Sequence, residues 1–168
     1  MKHLLLILFL LAGCGRADPP ADNRTEPAAE RAGKASPRPK AAPSTERLTG
    51  LYEGGAGAQK NQLCVVEKGR EAEFGLIVWG GNLHSCSGAG IAVRSGERLT
   101  LRMTGDETCT IEASLKDGTI ALPATLPTGC AYYCGARASL AGATFSRVGR
   151  TEAEAKKATD IAGDPLCD

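Results

Sequence analysis

The sequence predicts a mainly β domain: a small antiparallel barrel or sandwich, stapled by disulfides and followed by a short C-terminal α-helix. Three observations carry this. Apolar and polar residues alternate with period two in several runs from Leu48 onward, the pattern of half-buried strands. Turn residues separate these runs at spacings of about 8–12 residues, as in barrels and sandwiches. Cys64, Cys86, Cys109, Cys130, Cys134 and Cys167 fall in the same region, and an even number of cysteines there suits three disulfides.

The elements follow in order. Leu63–Val66 and Phe74–Trp79 are short apolar runs bounded by Lys68-Gly69 and Gly80-Gly81-Asn82. Ala89, Ile91 and Val93 form one stripe, and Leu99, Leu101 and Met103 another, with Ser95-Gly96 between them. Cys109, Ile111, Ala113 and Leu115 alternate with Thr110, Glu112 and Ser114 after the break Thr104-Gly105-Asp106. Asp117-Gly118 then leads to Ile120 and Leu122, and Asp-Gly between alternating residues is a strong hairpin signal. A last strand is expected over about 138–148, with Leu140 and Phe145 but also Gly142. Thr151-Glu152-Ala153-Glu154 reads as a capping box opening a helix, which Gly163 and Pro165 stop.

Aromatic residues make up only 4% of the chain, a thin supply for a large core. Disulfides, each contributing about 2–4 kcal/mol, would offset that. Spacing alone does not choose among the possible connectivities. The pairing preferred is Cys64–Cys86, Cys109–Cys130 and Cys134–Cys167: the first joins strands expected to be neighbours, and the last staples the helix. In a strand, Cys130 and Cys134 would lie about 13 Å apart and could not bond to one another; a tight turn would permit it.

The N-terminus has a different composition. Met1-Lys2-His3 is basic, Leu4–Leu10 is apolar, and Leu11-Ala12-Gly13-Cys14 follows. A basic start, a short apolar run and small residues before a cut form a signal peptide, and the run is well short of the roughly 20 residues that span a bilayer. The segment resembles a bacterial lipoprotein precursor, with Leu-Ala-Gly-Cys as its lipobox. The resemblance implies removal of residues 1–13, a diacylglyceryl thioether on the Cys14 sulfur and an acyl chain, typically palmitate, on its new amine. Two or more chains anchor a protein stably in a membrane. With Gly15 in the next position, it also implies the periplasmic face of the outer membrane.

Residues 14–46 then form a tether. Pro19, Pro20, Pro27, Pro37, Pro39 and Pro43 are scattered among Ala, Ser and charges of both signs, with no apolar period. Such a segment cannot bury enough surface to offset its ordering entropy. It would span roughly 30–35 Å as a flexible coil. Residues 47–168 make up the disulfide-stapled domain.

The chemistry-bearing patterns are few. The net charge is +1, so no electrostatic footprint for nucleic acid is present. Cys130-Ala131-Tyr132-Tyr133-Cys134 lacks the spacing of a redox pair, and exported thiols are oxidised rather than metal-binding. His84-Ser85-Cys86-Ser87-Gly88 reads as a loop, without the base and orienting group that a nucleophile needs. Gly88-Ala89-Gly90 lacks the third glycine and following helix of a nucleotide loop. No pattern calls for a metal or cofactor, and no carboxylate pair is spaced for acid–base work. Trp79, Tyr132 and Tyr133 are either core aromatics or a binding rim at a barrel mouth, where Trp and Tyr make hot spots.

The sequence therefore predicts a non-catalytic, lipid-anchored envelope protein whose β domain binds an envelope protein, a glycan or a small apolar ligand. A structural or assembly role in the envelope is the alternative. A further one comes from Leu48-Thr49-Gly50-Leu51-Tyr52 followed by Cys64 and Cys86. This opening is weakly similar to that of small bacterial β-barrel metalloprotease inhibitors, which implies an inhibitor of a secreted hydrolase. The extra cysteines and the C-terminal helix depart from that pattern, so no inhibitory residue is carried over.

Overall fold

The computed structural model describes residues 46–168. The signal segment, Cys14 and the tether up to residue 45 lie outside the described residues. Eight antiparallel strands follow one another around a closed barrel. They are β1 (Gly50–Gly54), β2 (Asn61–Lys68), β3 (Glu71–Trp79), β4 (Ser85–Ser95), β5 (Arg98–Met103), β6 (Thr110–Lys116), β7 (Thr119–Ala121) and β8 (Thr144–Arg147). β8 pairs back onto β1, with Glu53 opposite Ser146. Closure leaves no free edge for another chain to extend.

The interior is packed with side chains. Tyr52, Leu63, Phe74, Leu76, Leu99, Leu101, Ile111, Ile120 and Phe145 are fully buried in one cluster. The alternation expected of β5 and β6 places Leu99, Leu101, Met103, Ile111, Ala113 and Leu115 inward. In β4 the parity is the reverse of that expectation. Cys86, Gly90 and Ala92 are buried, while Ile91 and Val93 face outward, half-buried. Larger neighbours supply the volume on the inner face: a β-carbon on Gly88 would collide with Met103 and Tyr133. Ser85–Gly88, expected to be loop, is therefore strand, its residues in register with Trp79–Leu76 of β3.

Two other expected elements are shorter than predicted. The final strand covers only Thr144–Arg147. Leu140 lies instead in the long β7–β8 connection, where it plugs the barrel, and Gly142 sits in a turn with φ 71°. The helix α1 is one turn, Glu152–Ala155. Its capping box is formed: Thr151 Oγ1 accepts from the Glu154 N–H at 3.2 Å, and Glu154 Oε2 accepts from the Thr151 N–H at 3.0 Å. The chain leaves helical geometry early, and Ala158 is buried with Ala155 against the barrel wall.

This C-terminal segment covers the outer face of β1 and β2. Leu51, Cys64 and Val66 point out of the barrel and form a second apolar cluster with Ala155, Ala158, Leu166 and Cys167. The segment lies so close that a β-carbon on Gly75 would collide with the Leu166 backbone. The disulfides are Cys64–Cys167, Cys86–Cys134 and Cys109–Cys130. Only the last matches the expected pairing. Cys64 and Cys86 cannot bond because β3 separates their strands and Cys64 faces outward while Cys86 faces inward. Cys167 does staple the C-terminal segment, but to β2.

Candidate functional site

The chain enters the domain at one end of the barrel, where the β2–β3, β4–β5 and β6–β7 turns also lie. That end is closed by a polar plug. Arg147 on β8 points inward, and its side chain is only 5% exposed. Its guanidinium lies over the Tyr52 ring, 4.9 Å from the centroid. Nε donates to the Tyr52 hydroxyl at 3.0 Å, and Nη2 donates to the same oxygen. The Tyr52 hydroxyl donates in turn to the Leu48 carbonyl at 2.7 Å. Outside these, Glu46 Oε1 accepts from Arg147 Nη1 and from Arg150 Nη1, both at 2.8 Å, while Arg94 holds the Glu46 carbonyl at 2.6 Å. Glu46, expected to end the tether, is thus docked on the barrel.

These contacts set the titration behaviour. Hydrogen bonding from Arg150, with the charge of Arg147 behind it, holds the Glu46 carboxyl below its usual value. At Glu67 burial pushes the carboxyl up, but hydrogen bonds from the Leu48 and Thr49 amides and from Arg47 and Thr49 outweigh it. Asp106 and Glu154 are lowered by hydrogen bonds from Thr108 and Thr151 respectively. Burial pushes the Tyr52 phenol up. A carboxyl depressed in the folded state contributes stability above its unfolded value and loses it as pH falls through the folded value. The urea midpoint is therefore expected to hold steady above about pH 5 and to fall progressively below it. Glu46→Gln should flatten that acid limb, and an unchanged midpoint down to about pH 2 would contradict this account.

The opposite end carries the candidate site. It is roofed by the β7–β8 connection, residues 122–143, which two disulfides hold to β4 and to Cys109 before β6. Within this cap, Thr128–Tyr133 forms 3-10 turns. Residues three apart share a face in that geometry. Cys130 and Tyr133 accordingly turn toward the barrel, while Tyr132 projects outward, 74% exposed. The Tyr133 hydroxyl accepts from the Asp106 N–H at 2.7 Å and donates to the Thr104 carbonyl at 3.0 Å, which fixes the β5–β6 loop. The two rings meet edge-to-face at 5.2 Å. A hollow of about 430 Å³ opens in the same cap, lined by Leu126, Ala131, Ala138 and Leu140 together with Thr128 and Ser139.

A hairpin stands beside the cap. Trp79 ends β3 facing outward and half-buried, its backbone N–H donating to Asn61 Oδ1 at 2.9 Å. The next five residues, Gly80–His84, make a tight loop closed by Gly80 N–H to His84 O at 2.7 Å and His84 N–H to Gly81 O at 3.2 Å. Gly81 N–H also donates to Arg137 O at 3.0 Å, and Gly135 N–H to Ser85 O at 2.9 Å. With the Cys86–Cys134 disulfide, these bonds join hairpin and cap into one unit. At the turn, Asn82 has φ 54° and Leu83 has φ 62°. Two successive left-handed residues make a type I′ turn, which prefers Asn-Gly. Here a leucine fills the glycine position and is 69% exposed.

Of the three aromatics predicted as a rim, Tyr132 is presented to solvent, Trp79 partly so, and Tyr133 is a strut under the cap. The sequence reading missed Leu83. Gly81-Asn82 marks a turn, but which turn type follows depends on strand register. Among the described residues no group of three or more His, Cys, Asp or Glu is placed to hold a metal ion. Nor is any helix there long and apolar enough to cross a membrane. Comparison of the chain with known protein families, curated proteins and solved structures finds no match.

Proposed function

We propose that this chain is a membrane-anchored envelope lipoprotein whose barrel is a non-catalytic binding module, with the disulfide-held cap as its docking surface for an envelope protein. The cap carries the reading. It sets an exposed tyrosine next in sequence to Ala131, which lines a hollow of mixed polar and apolar character, on a rigid support, at the barrel end opposite chain entry. Rigid aromatic anchors next to pockets are the usual hot spots of protein interfaces. The packed barrel interior supports recognition at the surface over storage of a small apolar ligand inside. A lipid on Cys14 and a flexible tether would leave the cap free to face away from the membrane.

A scan with a photo-crosslinking amino acid in living cells tests this. Positions 132 and 136 on the cap are expected to give one reproducible protein conjugate, and positions 98 and 116, exposed at the other end, none. Conjugates of equal yield from both ends, or none from the cap, would overturn the reading and favour a structural role.

A further inference from the structure

The turn Gly81–His84 holds a side chain that local energetics oppose. A left-handed backbone at a non-glycine residue costs about 1–2 kcal/mol, and bulky residues there are true outliers. Leu83 is in that state and 69% exposed. Neither packing nor hydrogen bonding of its side chain offsets the strain, since the loop's bonds run through the backbones of Gly80, Gly81 and His84. Glycine at position 83 would make every one of those bonds without strain. Strain that persists where the fold does not need it is found at functional sites.

We propose that Leu83 is the anchor with which the cap engages its partner, and that the partner is a protein offering an apolar pocket of leucine size with an acidic rim. The inference rests on the cap being the docking surface. Three features define the pocket's chemistry. First, the leucine stands at the tip of a five-residue loop, so it fits a concave surface rather than a flat one. Second, the loop is locked to the cap by two backbone hydrogen bonds and the Cys86–Cys134 disulfide, so little entropy is lost when it binds. Third, the residue bonded to the loop through Gly81 is Arg137, an exposed cation with no ion pair among the described residues. An acidic rim complements it. The chain's own membrane is not the expected target, because the chain enters the domain at the far end.

The test uses the full-length lipidated chain with the photo-crosslinker at position 132. The protein captured there is identified and purified, and its affinity is measured for four purified forms: the parent, Leu83→Gly, Leu83→Met and Arg137→Glu. Leu83→Gly is expected to melt at a higher temperature yet bind at least about tenfold more weakly, the effect of losing one buried leucine. Leu83→Met should bind within about threefold of the parent, because volume is kept. Arg137→Glu should weaken binding, and more so at low salt. A captured protein that binds Leu83→Gly as tightly as the parent overturns this inference and leaves the cap reading intact. Capture of a second copy of the chain, or of lipid, also overturns it. Absence of any conjugate from the cap overturns both.

Discussion

Replacing Cys64 and Cys167 together by alanine is expected to lower stability by about 4–5 kcal/mol, the largest loss of any disulfide removal. The bridge closes a loop of 103 residues, against 48 for Cys86–Cys134 and 21 for Cys109–Cys130. Chain-entropy scaling ranks them in that order, with about 3.3 kcal/mol for the shortest loop. A second effect adds to the first. The C-terminal segment has a one-turn helix and buries only small residues, Ala155 and Ala158, beside Leu166. Alone it has too little apolar area to stay docked. The variant should lose amide protection in residues 151–168 before the barrel opens, and Leu51 and Val66 should become accessible. Urea unfolding and hydrogen exchange check this. An unchanged midpoint with a protected C-terminus would contradict it.

Tyr52→Ala is expected to cost roughly 3–5 kcal/mol, as for a large core residue with its cavity. The ring is fully buried under the Arg147 guanidinium. Its hydroxyl is also the acceptor for two Arg147 N–H groups and the donor to Leu48 O. Tyr52→Phe separates the two contributions. It keeps the ring and leaves a nearly buried cation short of a partner, a loss of about 1–3 kcal/mol. Measured in the same urea series, a phenylalanine variant as stable as the parent would show that the plug is held by packing alone.

The strands were legible where apolar alternation is backed by neighbours of ordinary size, as in β5 and β6. They were misread where volume comes from elsewhere. β4 turns Gly88, Gly90 and Ala92 inward because Phe74, Met103 and Tyr133 fill the space. Its Ile91 and Val93 share a face, as their period of two implies, but that face is the outer one. The capping box at Thr151 was readable because it is local, within four residues. The disulfide partners were not, since pairing depends on which strands are adjacent and which face each cysteine takes. The plug escaped for the same reason: Glu46 and Arg147 are 101 residues apart. Of the candidate site, the aromatics could be named, but the geometry that separates exposed Tyr132 from the strut Tyr133 depends on a 3-10 turn that hydrophobic pattern does not signal.

The proposed function requires that lipid on Cys14 hold the domain at a membrane. The most direct measurement is the mass of the N-terminal peptide of the protein extracted from its native membranes. The expected result is a peptide beginning at Cys14 and carrying a diacylglyceryl group with an added acyl chain, lost together with membrane retention in Cys14→Ser. A peptide beginning elsewhere, or an unmodified Cys14 in a protein that still sediments with membranes, would contradict the account.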